Sequence, residues 1–389
     1  MSEETSSLED LKTAILEDGI IDAEEVGKIK ARLYEDGIID REEADFLFDL
    51  NDAVSGKEND PSWHDFFIEA MSDHVLKDEA TPGVIDDDEA TYLIDKIKGD
   101  GQVDKTELGL LVNICEKATG DSPDSLTGFI IESIKAAILD DGIVDADEVD
   151  MLGKVIYGAG GAGGSSVDRA EADLLFDLND ACTGKDNDPS WAAFFTEAIT
   201  KHVLEDEESP GTIDDDESNY LIEKIKGDGQ VDKMEIDLLV NICEKATGES
   251  PESLTSFILS SIKEAILEDG IIDADEVQML GKVIYGEGGA GGSSVDRAEA
   301  DFLFDLNDAV TGKENDASWQ DFFVKAIASH VLEDEESPGE VDEDEGDWLV
   351  SKIEGDGEYD ATEKALLAKI KSDAKSITGK LKFKIEMFG

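Results

Sequence analysis

Basic residues are scarce in this chain: Lys and Arg together number 33 against 98 Asp and Glu, a formal charge of −65. Phosphate backbones attract the opposite sign, so a nucleic-acid partner is excluded and an anionic membrane surface is disfavoured. Cysteine is scarcer, with only Cys115, Cys182 and Cys243. Cys115 and Cys243 hold equivalent places among apolar neighbours, so small core residues are expected, not a disulfide pair or metal cluster. No apolar run approaches the roughly 18 residues of a membrane span, so direct membrane insertion is not expected. The opening MSEETSSLED has no basic region followed by an apolar run. No secretory signal is therefore expected, and a cytoplasmic location is the simplest reading. No Ser/His/Asp or Cys/His set can be assembled, so the chain is not expected to be an enzyme. The apolar fraction is 40% and periodic, which separates the chain from a disordered acidic tail. Such a charge permits divalent cations, a basic protein partner, or a high-salt milieu that screens self-repulsion.

One phrase, by contrast, is abundant. Asp-x-x-Glu steps begin at Asp22, Asp40, Asp86, Asp104, Asp145, Asp168, Asp214, Asp232, Asp273, Asp296, Asp342 and Asp360. Ten of the twelve have Gly three residues before the Asp; the others have Ser165 and Ser293. Eleven have Ile or Val just before the Asp, and the twelfth has Tyr359. From Asp145 onward the steps recur every 128 residues, as from Asp145 to Asp273 and from Asp232 to Asp360. The period predicts three tandem copies, at 5–122, 126–250 and 254–375, with a tail at 376–389. Polar links containing Pro at 121–125 and 249–253 mark the boundaries. Each copy divides again into half-units of about 64 residues. Each half-unit reads as three helices: Phe194, Phe195, Ala198, Ile199, His202 and Val203 fall at helical spacing. The expected fold class is all-α, with almost no sheet.

The step has a local physical account. Gly ends one helix in the left-handed region without steric cost. Ile or Val docks in the core. Asp then caps the next helix and Glu, three residues on, bonds back to it, each satisfying an orphan N–H. Both charges also meet the positive end of the helix dipole.

The same phrase resembles the second half of an EF-hand loop, with Gly sixth, an aliphatic eighth and Glu twelfth. Seven steps carry Asp-Gly, and their first loop positions are Ala14, Arg32, Lys96, Ala137, Lys224, Ala265 and Lys352, none an oxygen ligand. These read as structural turns. Three steps carry Pro-Gly and are richer in carboxylates. Asp334, Glu336, Asp342 and Glu345 stand at loop positions one, three, nine and twelve, as do Asp206, Glu208, Asp214 and Glu217. The first copy offers Asp78, Asp86 and Glu89, with Ala80 at position three. Hard oxygen ligands at this spacing suit calcium better than magnesium. An acidic type II bend is the competing reading.

The Gly-rich segments at 157–168 and 285–296 lack Gly-Lys-Ser/Thr and read as flexible connectors. His74, His202 and His330 are one repeated position near a helix end, expected to make a helix-terminal contact. Trp63, Trp191 and Trp319 are likewise one position, expected as core anchors.

With the motifs DGIIDAEE (18–25), DGQVDKTE (100–107), DGIVDADE (141–148), DGQVDKME (228–235) and DGIIDADE (269–276), the chain resembles the TerB-like family of tellurite-resistance and stress-response proteins. The resemblance covers nearly the whole chain as three tandem copies. It implies an all-helical duplicated core and acidic surfaces associated with divalent metal and stress-response complexes. The tail departs from the repeats. Leu381, Phe383 and Ile385 alternate with Lys382, Lys384 and Glu386, a strand-like period that would serve strand addition, self-association or contact with an acidic surface, with a frayed terminus as the competing reading. The functional expectation is an acidic divalent-cation module, with calcium as the ion, or a metal-linked stress-response scaffold. The alternative is a salt-adapted interaction scaffold without specific metal sites.

Overall fold

The computed structural model describes residues 8–388 except Asp36, 78–80, Asp100, 159–165, 206–208, Asp228, Gln230, Glu249, 287–294, 334–337 and 356–358. The protein is all-α. Among the described residues eighteen helices come in six groups of three and a nineteenth follows. The first groups are α1 (Leu8–Ile15), α2 (Ala23–Leu33), α3 (Arg41–Val54), and α4 (Pro61–Leu76), α5 (Asp87–Ile97), α6 (Lys105–Lys117). Next come α7 (Asp124–Asp141), α8 (Ala146–Tyr157), α9 (Arg169–Cys182), and α10 (Pro189–Leu204), α11 (Asp215–Ile225), α12 (Lys233–Lys245). The last are α13 (Glu252–Asp269), α14 (Ala274–Tyr285), α15 (Arg297–Val310), and α16 (Ala317–Leu332), α17 (Glu343–Ile353), α18 (Ala361–Asp373), before α19 (Gly379–Phe388). The only strands among the described residues are β1 (Glu340–Val341) and β2 (Ser376–Ile377), which pair in parallel.

All twelve steps cap helices. At each, the Asp side chain accepts from the Glu N–H and the Glu side chain accepts from the Asp N–H. The preceding Asp of an Asp-Gly pair closes a local turn as well: Asp18, Asp141 and Asp269 Oδ1 accept from the N–H two residues on, at 3.2, 2.9 and 3.0 Å. Gly142 and Gly270 end α7 and α13 at φ +71° and +73°, where a side chain would be strained.

The two faces of the motif are not equivalent. Second-helix caps such as Asp145 stand at the surface. Asp104, which starts a third helix, uses Oδ1 for the cap and accepts from Asn51 Nδ2 and Ser55 Oγ at Oδ2, both at 2.9 Å. Asp360 repeats this with Asn307 and Thr311, at 2.8 and 2.9 Å. Asp145→Ala is therefore expected to cost about 1 kcal/mol, the worth of a cap. Asp104→Ala should cost roughly 3 kcal/mol, because it also strands two donors at a helix junction. Chemical denaturation of the two variants checks this, and equal losses would show that the junction bonds carry nothing.

The chain forms two compact units, Met1–His202 and Val203–Gly389. The division falls inside α10 and not at the polar links. Within the first unit, α5 and α6 pack on α7, and α6 packs on α8, directly across link 121–125. Lys98 Nζ lies 4.8 Å from the Phe129 ring centre across the same link. Within the second unit, α11 and α12 pack on α13 and α12 on α14 across link 249–253, with Lys226 Nζ 4.7 Å from Phe257. In each unit a helix packs on its first and second neighbours along the chain, the arrangement of a repeat array.

Trp63, Trp191 and Trp319 are core anchors, each at most 2% exposed. Trp63 Nε1 donates to Asn51 Oδ1 at 3.3 Å and Trp319 Nε1 to Asn307 Oδ1 at 3.2 Å. The tail corrects a sequence expectation. Residues 379–388 form α19, packed on α17 and α18, not a strand. Leu381 and Ile385 are four apart and so share the buried helix face, at 0% and 3% exposure. The strand that does form is the two-residue β2, just ahead of that segment.

Candidate metal loops and an acidic groove

The three Pro-Gly loops divide at their middle. Asp78, Asp206, Glu208, Asp334 and Glu336, with Ala80, lie outside the described residues. The second halves are defined. Gly83, Gly211 and Gly339 take φ +83°, +82° and +80°, the left-handed sixth position. Their N–H groups donate to Leu76, Leu204 and Leu332, at 2.8, 2.7 and 2.7 Å. Their carbonyls accept from Thr119, Thr247 and Lys375 N–H, each at 2.7 Å. These bonds pin each loop to the second residue past the end of the third helix of its group.

The remaining candidate ligands are engaged in caps. Asp86 Oδ1 accepts from Glu89 N–H at 2.9 Å and Glu89 Oε2 from Asp86 N–H at 3.0 Å. Asp214 and Glu217 exchange the same bonds at 3.0 and 2.9 Å, and Asp342 and Glu345 at 2.9 and 3.0 Å. A Glu that turned both oxygens to a cation would release an N–H that it now satisfies. Among the described residues no three His, Cys, Asp or Glu side chains converge to hold a metal ion.

The other sequence candidates resolve into structure. His74, His202 and His330 place Nδ1 2.7, 2.8 and 2.8 Å from the carbonyls of Ile39, Val167 and Val295. A carbonyl only accepts, so Nδ1 carries the proton. The partner is thus the residue ahead of a third-helix Asp, not the histidine's own helix end. Cys115, Cys182 and Cys243 are buried free thiols. Burial pushes Cys115 and Cys243 up to about 12, which leaves them as thiols at neutral pH. The glycine-rich stretches 159–165 and 287–294, read as connectors, lie outside the described residues.

Two features escape the motif. The first is burial of step glutamates. Glu171 and Glu299 are 0% and 1% exposed, and in each Oε2 accepts the cap bond while Oε1 has no partner. Burial, chiefly, pushes Glu171 up to about 8 and Glu299 up to about 7. The cap bond opposes that shift and the neighbouring Asp charge adds to it.

The second is a groove in the first unit, about 1530 Å³, formed by α4, α6, α7 and α8. Half-buried Ile68, Phe129 and Met151 and buried Val112 floor it. Asp65, Glu132, Asp140 and Asp147 stand exposed around it, and among the described residues none is in an ion pair. Gly109 lets α4 lie close on α6: a Cβ there would come 2.8 Å from Ile68 Cδ1 and 3.0 Å from His64 Cε1. At Gly128 a Cβ would meet nothing within 4 Å, so that position opens onto the groove. One period of 128 residues later, Ile68, Gly109, Gly128 and Ala136 become Thr196, Asp237, Ser256 and Glu264. Val112, Phe129 and Met151 recur as Val240, Phe257 and Met279, so what belongs to the first position alone is Ile68 and the small residues Gly109, Gly128 and Ala136. That break in the internal repeat is the signal by which sequence alone could have found the groove. No protein-family model matches this chain, and no curated protein matches it.

Proposed function

We propose that this chain is a non-enzymatic, acidic helical scaffold that binds cationic ligands, with a basic protein segment as the ligand of the α4–α6–α7–α8 groove. The observation that carries the reading is an apolar floor whose rim holds an excess of carboxylates over the four lysines Lys98, Lys105, Lys117 and Lys154. Of these carboxylates, Asp65, Glu132, Asp140 and Asp147 are in no ion pair among the described residues. An amphipathic helix with one apolar and one lysine-rich face satisfies both parts at once. Charge steers the encounter and the floor supplies the dehydrated contact. The test is calorimetric titration with a synthetic Leu/Lys amphipathic peptide. Saturable one-to-one binding, weakened by salt and removed by Gly128→Arg, is the expected result. Uptake that is unsaturable, equal in the variant and lost in salt would leave only a salt-adapted acidic surface. A cytoplasmic location and the stress-response setting carried by the TerB-like resemblance belong to this proposal.

Calcium at the Pro-Gly loops is the second reading. It rests on the carboxylates at loop positions one, three, nine and twelve, since the left-handed glycine at position six is shared with Asp-Gly steps such as those of Gly19 and Gly142. Proline at position five supplies no side-chain ligand and the terminal Glu must leave its cap. Affinity should therefore be weak, on the order of 10⁻⁴ to 10⁻³ M. The loops of Asp214/Glu217 and Asp342/Glu345 should bind ahead of that of Asp86/Glu89, which has Ala80 in place of a ligand. Gln serves as well as Glu in a capping box. Glu217→Gln with Glu345→Gln should therefore abolish saturable calcium binding without lowering the melting temperature. Binding that survives the double change intact overturns the assignment.

A further inference from the structure

The groove's apolar floor has a counterpart on the chain itself. Helix α19 carries Lys380, Lys382 and Lys384 against Glu386, the largest positive excess of any helix in a chain of net charge −65. Its inner face is used: Leu381 and Ile385 are buried, Lys380 pairs with Asp347, and Lys384 pairs with Glu354. Its outer face is not. Phe383 and Met387 stand one helical turn apart and are each 71% exposed, the most exposed large apolar residues among those described. Lys382 is exposed beside them. An apolar pair on a basic helix is unfavourable in water and matches an apolar floor whose rim carries more Asp and Glu than Lys.

We propose that the Phe383–Met387 face of α19 on one molecule docks in the α4–α6–α7–α8 groove of a second molecule, joining copies head to tail. This rests on the groove reading above and names its occupant. Phe383 and Met387 enter against Ile68, Phe129 and Met151, and Lys382 meets the rim carboxylates. The two surfaces differ, so the contact is heterologous. A docked pair still offers one free groove and one free α19, so association extends with concentration unless the rotation closes a ring.

The experiment is sedimentation of the full chain over a range of concentrations. Wild type should associate reversibly, and less so at high salt as the rim charges are screened. Gly128→Arg fills the groove from a helix position with open space around it, and arginine favours helix over glycine. Phe383→Glu with Met387→Glu changes only exposed side chains. Each should weaken self-association at least tenfold with an unchanged melting curve. The decisive step mixes the two variants, since one keeps α19 and the other keeps the groove. The mixture should give a one-to-one pair and nothing larger. A chain that stays monomeric at every concentration overturns the proposal, as does association that either variant leaves intact, or a mixture that forms no pair. If wild type is monomeric yet the Leu/Lys peptide still binds and Gly128→Arg blocks it, the groove reading stands and only its occupant is wrong.

Discussion

Glu171→Gln is expected to raise the melting temperature at pH 8 by roughly 5–10 °C, and to leave it nearly unchanged at pH 4. The Glu171 carboxyl is 0% exposed, with one oxygen on the Asp168 N–H and the other without a partner. Burial raises it from 4.5 to about 8. An acid raised on folding keeps its proton longer in the folded chain than in the unfolded one. Its contribution is therefore complete below pH 4.5 and is lost as pH rises through about 8. At pH 7 the loss is on the order of 3 kcal/mol. Gln keeps the cap bond and carries no charge, so it removes that loss. Acidification also relieves repulsion across a chain of charge −65, which stabilises in the same direction. The comparison with Gln at fixed pH separates the two effects. Glu299→Gln should act likewise but less, since that group rises only to about 7. A change in melting temperature that is the same at both pH values would show that folding does not raise the Glu171 carboxyl at all.

Trp319→Ala should cost about 4 kcal/mol of stability in the second unit. The side chain is 2% exposed and lies against Phe323, with ring centres 5.8 Å apart. Its N–H holds Asn307, whose amide nitrogen holds Asp360, the cap of α18. Truncation opens a cavity and also leaves the Asn307 oxygen without its donor. Phenylalanine separates the two parts. Trp319→Phe keeps most of the packing and loses the hydrogen bond. Trp191→Phe should cost roughly 1–3 kcal/mol less, because Trp191 Nε1 has no partner to lose. Asn179 Nδ2 is also without a partner there. Equal costs in urea denaturation would mean that in solution the Asn179 amide is turned to accept from Trp191.

What the sequence determined is whatever closes within a few residues. Each capping box spans three residues, and its bonds form wherever a helix starts at that Asp. All twelve were therefore legible before any packing was known, and with them the order and type of the helices. The tail shows the limit of a pattern taken alone. Leu381, Phe383 and Ile385 satisfy a period of two, yet Leu381 and Ile385 also satisfy a helical turn. Contact with α17 and α18 selects the turn and leaves Phe383 outside.

Tertiary structure decided which copies of one motif are buried. Glu148 and Glu171 belong to the same phrase, 23 residues apart. Glu148 caps a second helix and is half-buried, while Glu171 caps a third helix and is sealed. Local chemistry is the same in both, so only the helices packed above them separate a surface cap from a titrating group. The groove has the same origin. Its walls come from four helices, two of which, α4 and α6, lie close only because position 109 is glycine, and no local pattern brings Ile68, Phe129 and Met151 onto one floor.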